Sequence, residues 1–290
     1  MKRWENEQET SRKNKYLIYL RAMSNPLPHD KIVPFKSSDQ QKKDQVAEMF
    51  DKIAHRYDFL NHFLSIGIDK SWRKKALKKL KPYQPNKILD VATGTGDFAI
   101  LAYKLLKPEL IRGIDISEGM LEIGRKKLIS KGLDKFIQLE KGDSETINYP
   151  EASFDAVTVA FGVRNFQNLE KGLTEMLRVL KPGGTLVVLE FSKPVKGGFR
   201  YLYNFYMGYI APQLGKIFSK NKDAYRYLND SVQAFPEGKE FINILNKSGY
   251  SDTSHEPLSL GICTIYIGRK SFLPSDSSQS ASPVSVSTGK

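Results

Sequence analysis

A chain of 290 residues, 40% of them hydrophobic, is long enough to bury the core of one large domain or two small ones. It has no run of about 18 apolar residues, which argues against a transmembrane helix, and its single cysteine, Cys263, excludes an intrachain disulfide and points to a reducing, cytoplasmic compartment. The net charge of +13 favours an anionic partner: a membrane surface, a nucleic acid or a phosphorylated substrate.

Residues 1–43 are polar, carry Pro26, Pro28 and Pro34, and predict a flexible extension. The stretch "KSWRKKALKKLK" at 70–81 sets Trp72, Ala76, Leu77 and Leu80 at helical spacing among basic residues. Two readings are open there, a solvated helix face and a membrane-facing patch. From residue 87 strand and helix alternate. Strands are predicted at 87–92, 110–117, 136–143, 154–162 and 185–192, with helices at 98–106, 118–132 and 168–184, the last ended by Pro-Gly-Gly. An aromatic insert follows at 197–236. A helix, a glycine turn and two strands near 249–256 and 260–269 complete a seven-stranded set. The alternation predicts an α/β fold with a doubly wound, mainly parallel sheet, whose ligand sits at the carboxyl ends of the strands. Cys263 lies in a strand-like run and reads as a packing residue. Residues 271–290 are Ser-rich and predicted to be disordered.

The most informative stretch is "ILDVATGTGDFAILAYKL" at 88–105. Gly94-Thr95-Gly96-Asp97-Phe98-Ala99 fits G-x-G-x-x-A, the loop of dinucleotide-binding folds. Its neighbours favour another nucleotide, S-adenosylmethionine (SAM). Asp90 and Asp97 flank the glycines; two carboxylates repel a diphosphate but attract a sulfonium and an amino group. Asp115, at the end of the second strand, can accept ribose hydroxyls, a device that NAD enzymes share. Asp143, after the third strand, can accept the amino group of adenine. Any one of these acids could merely satisfy loop N–H groups. Asp90, Asp115 and Asp143 all at strand ends argue for a SAM site, and a reductase leaves Asp90, Asp97 and Asp143 unexplained.

Three further motifs carry a resemblance: "YDFLNHFLSIGIDKSWR" (57–73), "FGVRN" (161–165) and "RVLKPGGTLVVLEFSKP" (178–194). With them, residues 44–270 resemble the C-methyltransferases of menaquinone and ubiquinone biosynthesis. Asp69 stands where many members of that family have histidine, and Ala160 where some have serine. The resemblance implies a class I, Rossmann-like, SAM-dependent methyltransferase domain with an N-terminal helical segment and a helical lid at 197–236. It implies SAM contacts at Thr95, Asp115, Asp143 and Ser144, beside the loop residues Asp90, Gly94 and Gly96. No metal is implied. The acceptor would be a reduced polyprenyl naphthoquinol, or alternatively the benzoquinol of the ubiquinone pathway. A sterol or small phenol would fit the lid but not the motifs.

Such a reaction moves a methyl group from sulfur to a ring carbon. A quinol is a better nucleophile than a quinone, and its phenolate is better still, but a phenol-like hydroxyl has a pKa of about 10. Arg164 could stabilise the phenolate, or could simply pair with a nearby acid. Asp58, His55 or His62 could take the proton, and Tyr57 and Asn61 could orient the ring. The aromatic insert and the 70–81 lysines predict transient contact with a membrane surface. No nucleic-acid motif accompanies the charge, and self-association stays open.

Overall fold

The computed structural model describes residues 27–64, 67–193 and 222–272; the side chains of residues 56–64, 222, 223 and 225 lie outside that description. Its centre is a 7-stranded sheet in the order β3-β2-β1-β4-β5-β7-β6. The strands are β1 (Lys87–Val91), β2 (Leu110–Asp115), β3 (Ile137–Lys141), β4 (Phe154–Ala160), β5 (Leu180–Phe191), β6 (Ser251–Leu258) and β7 (Cys263–Arg269). Pairing is parallel from β3 through β5, and β7 runs antiparallel to both β5 and β6. From β1 the chain moves outward to β2 and β3, then returns to place β4 on the other side. The strand order therefore reverses between β1 and β4, which opens a crevice at their carboxyl ends.

Seven helices accompany these strands among the described residues: α1 (Lys42–Leu64), α2 (Asp69–Lys78), α3 (Asp97–Leu106), α4 (Glu118–Ser130), α5 (Leu169–Val179), α6 (Lys222–Ala234) and α7 (Lys239–Lys247). The sheet is buried on both faces, so its central strands are apolar throughout rather than alternating with polar residues. In β5, Leu186 and Val188 pack with α5 and α7, while Val187 and Leu189 pack with α2, α3 and α4. Each such buried aliphatic side chain contributes about 1.5–3 kcal/mol. A third cluster lies over the carboxyl ends of the strands. There Val46, Met49, Phe50 and Ile53 of α1 meet Met120 of α4 and Ala224 and Tyr227 of α6.

Two expectations are corrected. The helix predicted at 168–184 ends at Val179, and Leu180 already pairs with Phe154 of β4. Lys181 to Gly184 form a bulge at the start of β5, because Pro182 supplies no N–H and Gly183 takes φ +78°. Residues 27–43, predicted to be flexible, are packed where they are described. His29 is fully buried, Ile32 and Phe35 sit against the third cluster, and the Phe35 N–H donates to Gln45 Oε1 at 2.8 Å. In the basic stretch, Trp72, Ala76, Leu77 and Leu80 all point into the core, leaving Lys70, Lys74, Lys75, Lys78 and Lys81 exposed. Residues 1–26 and 273–290 lie outside the described residues, as does the insert up to residue 221. Its described remainder, α6, is helical as expected.

Candidate active site at the strand-order switch

The chain turns sharply after β1. Ala92 and Gly94 adopt left-handed conformations at φ 52° and 57°. A side chain at Gly162, beyond β4, would put its Cβ 2.6 Å from that of Ala92, so the two loops meet only because Gly162 has none. Next to this junction is a solvent-open cavity. Gly94, Asp115, Asp143, Ser144, Phe161, Asn165 and Phe166 line it. Val46 and Phe50 of α1 roof it, joined by Lys43.

The Asp115 carboxylate accepts the Gly94 N–H at 2.8 Å on Oδ2 and the Ser117 N–H at 2.9 Å on Oδ1. Each oxygen keeps acceptor capacity toward the cavity. Burial pushes the Asp115 carboxyl up to about 6; the two backbone N–H groups oppose that, and Asp51 nearby adds to it. Asp143 accepts the Glu145 N–H on Oδ1 at 2.9 Å and faces the Lys43 ammonium on Oδ2 at 3.1 Å. Ile116, Met120 and Ala160 add apolar surface to the lining. This donor set fits an adenosine: carboxylates for ribose hydroxyls and a ring amino group, with flat apolar surface for the ring.

Other residues expected at the ligand are placed differently. Asp90 does not line the cavity. It is buried, and its two oxygens accept the Thr93 and Thr158 hydroxyls at 2.6 Å each. Burial raises its carboxyl to about 6, against both hydroxyl bonds. It therefore braces the glycine turn from beneath. Thr95 and Asp97 turn toward α4, where Lys127 donates to them at 3.1 and 2.7 Å. Gly96 caps α3 with φ 79°, and a Cβ there would meet Leu139. None of these three lines the cavity.

Arg164 is also absent from the cavity wall, although its neighbour Asn165 is part of it. The guanidinium is buried, donating to Glu190 Oε1 at 2.7 Å and to the Phe161 carbonyl at 2.5 Å. It also lies over the Phe191 ring. Burial pushes the Glu190 carboxyl up, and Arg164 holds it down. Of the two readings of Arg164, pairing with an acid is the one the geometry supports. Asp69 pairs with Arg73 at 3.5 Å. His55 is exposed and not at the cavity. Tyr57, Asp58, Asn61 and His62 lie on the α1 backbone, but their side chains are outside the described residues. Sequence reasoning missed Lys43, Phe50 and Glu145. Asn165 stood within a quoted motif but drew no role.

A seven-stranded sheet with this order and an acid-lined cleft at the β1–β4 switch defines a Rossmann-like methyltransferase. A SAM-dependent methyltransferase of Thermotoga maritima, a possible histamine N-methyltransferase, superposes with a TM-score of 0.55 at 22% identity, covering 77% of this chain and 99% of that one. That likeness speaks for the fold. Residues 37–270 match the ubiE/COQ5 methyltransferase family, and the chain belongs to it. A demethylmenaquinone methyltransferase of Bacteroides fragilis is 48% identical over 243 residues, 84% of this chain and 99% of that protein. A ubiquinone/menaquinone biosynthesis C-methyltransferase of Geotalea daltonii is 47% identical over 232 residues, 79% of this chain and 98% of that protein.

Proposed function

We propose that this chain methylates a ring carbon of demethylmenaquinol, the last step of menaquinone synthesis, with SAM as donor. The observation that carries this reading is one cavity lined both by the Asp115 and Asp143 carboxylates and by Phe161 and Phe166. Bound beside the carboxylates, SAM would supply an electrophilic methyl group. The chain's own residues orient the two partners for in-line displacement and keep water away from them. Asp115 accepts ribose hydroxyls and Asp143 the adenine amino group. Phe161 and Phe166 hold the quinol ring, and Asn165 is the polar group beside it. Tyr57 and Asn61, further along α1, orient the ring. Asp58 takes the phenolic proton, directly or through water.

Residues 197–236 act as a lid for the polyprenyl tail, with α6 as its inner end. The enzyme works at the membrane surface. Leu260 is 71% and Ile68 44% exposed near the carboxyl edge of the sheet, and the α2 lysines face solvent beside them. The Trp72 indole N–H donates to Ser259 Oγ, which ties these two segments together. Among the described residues no helix is long and apolar enough to cross a membrane.

The experiment is a paired methyl-transfer assay with methyl-labelled SAM and chemically reduced demethylmenaquinone or a reduced benzoquinol precursor. Label in the naphthoquinol product supports the proposal. Label only in the benzoquinol moves the chain to the ubiquinone pathway. Label in neither, with SAM binding intact by calorimetry, overturns the acceptor.

A further inference from the structure

Asn165 presents a carboxamide to the cavity between two aromatic residues, and its orientation is fixed by its neighbours. Its amide nitrogen lies 3.4 Å from the Phe161 carbonyl, which also accepts Arg164 at 2.5 Å. A carbonyl can only accept, so the nitrogen must face it, and Oδ1 points the other way. There the Tyr227 hydroxyl lies 3.1 Å from Oδ1 and must donate. Tyr227 is 1% exposed, on α6, among the side chains that roof the cavity. Burial pushes its phenol well above the ordinary value, so it keeps its proton. One amide hydrogen is then engaged by Phe161, and the second is available to a cavity ligand.

We infer that Tyr227 is a positioning residue: its hydroxyl holds the Asn165 carboxamide so that the free N–H donates to the oxygen of the methyl acceptor. This rests on the proposed reaction. Without the Tyr227 donor, the carboxamide can rotate and offer its oxygen to the acceptor oxygen, which repels it. The acceptor oxygen gains negative charge as the ring carbon attacks, so the lost bond weighs most on turnover.

The test is a double-mutant cycle on the full chain with Tyr227→Phe, Asn165→Ala and the pair. Each single change lowers kcat with the quinol about tenfold, SAM affinity by calorimetry stays within about twofold, and the pair loses no more than either alone. Independent losses that multiply to about a hundredfold, or wild-type kcat in Tyr227→Phe, overturn the inference. A second readout needs no turnover. The Asn165 side-chain amide signals, assigned by NMR, report slow rotation in the wild type and faster rotation in Tyr227→Phe. Equal rotation in the two proteins overturns the tie. If the wild type transfers no methyl to the quinol, the proposed reaction fails, and the amide signals still decide whether Tyr227 holds Asn165.

Discussion

The Lys43 ammonium lies 3.1 Å from the Asp143 carboxylate, joining the start of α1 to the loop after β3 across the cavity mouth. The bond to Asp143 raises the lysine pKa, so the ammonium is charged at neutral pH. Its positive charge opposes a sulfonium and is indifferent to a neutral thioether. Lys43→Met should therefore raise the preference for SAM over S-adenosylhomocysteine. The expected gain is about 0.5–1 kcal/mol, roughly two- to fivefold in the ratio of dissociation constants, and it shrinks with salt. Calorimetry with both ligands checks this, and an unchanged ratio would mean that Lys43 is remote from the reacting sulfur.

Arg164 and Glu190 form a buried pair, and breaking it from one side leaves an uncompensated charge. Arg164→Ala should cost about 3–5 kcal/mol of stability, lowering Tm by roughly 10 °C. Combining Arg164→Met with Glu190→Gln should recover most of that loss, because no charge is then stranded. A thermal scan of the wild type and the two variants decides. If Arg164→Ala keeps the wild-type Tm but loses turnover, the guanidinium serves the acceptor rather than the fold.

The buried His29 imidazole is held near pKa 3, first by burial and then by the neighbouring Lys42. The groups around it are Asp30, whose carboxyl burial pushes up, and Lys42, lowered to about 8. An unfolded chain binds the His29 proton below about 6.5, and the folded chain does not. Stability is therefore full above 6.5 and falls as pH drops toward 3. By pH 4.5 the loss is about 2–3 kcal/mol. Asp90 and Asp115, raised to about 6, act with the opposite sign: their contribution is present at low pH and lost as pH rises through 6. His29→Met should therefore flatten the acid limb of a Tm-against-pH curve between 6.5 and 4.5. An unchanged limb would refute the role given to His29.

Leu260 is held in solvent by a left-handed backbone, with φ 58° after Ser259 at 47°. Strain that exposes a leucine beside lysines suits insertion at an anionic lipid surface. Leu260→Glu, and separately Lys70→Gln with Lys74→Gln and Lys78→Gln, should each reduce co-flotation with anionic vesicles by about tenfold or more. Neutral vesicles should bind neither wild type nor variants. Flotation that is the same for all proteins would remove this face from the proposal.

The parts of the site that depend on local rules were legible in the sequence. Asp115 and Asp143 were found because acids at the ends of parallel strands reach the ligand crevice, and Gly94 because it opens a G-x-G-x-x-A loop. The rest depends on contacts between distant segments. Asp90 looks like a ligand residue until Thr158, 68 residues later, is seen to occupy one of its oxygens. Arg164 and Glu190 both stood in quoted motifs, but their pairing follows from the β4–β5 register, in which Ala160 lies opposite Leu189. Lys43 carries no local mark at all; only the fold of α1 over the cleft brings it to Asp143. The 168–184 helix overran because amphipathic spacing continued to Leu180, where pairing with Phe154 outweighed helical propensity.

The antiparallel strand β7 is inserted between β5 and β6, so each of those two strands depends on residues that come late in the chain. Until Cys263–Arg269 emerges from the ribosome, Leu186 to Leu189 of β5 present an open hydrophobic rim, and β6 has no neighbour to join. From the emergence of β5 to that of β7 the nascent chain thus carries a sticky border. A slow stretch of translation after residue 191, or a stop before residue 263, should send the product to aggregates or to chaperones rather than to a smaller folded form.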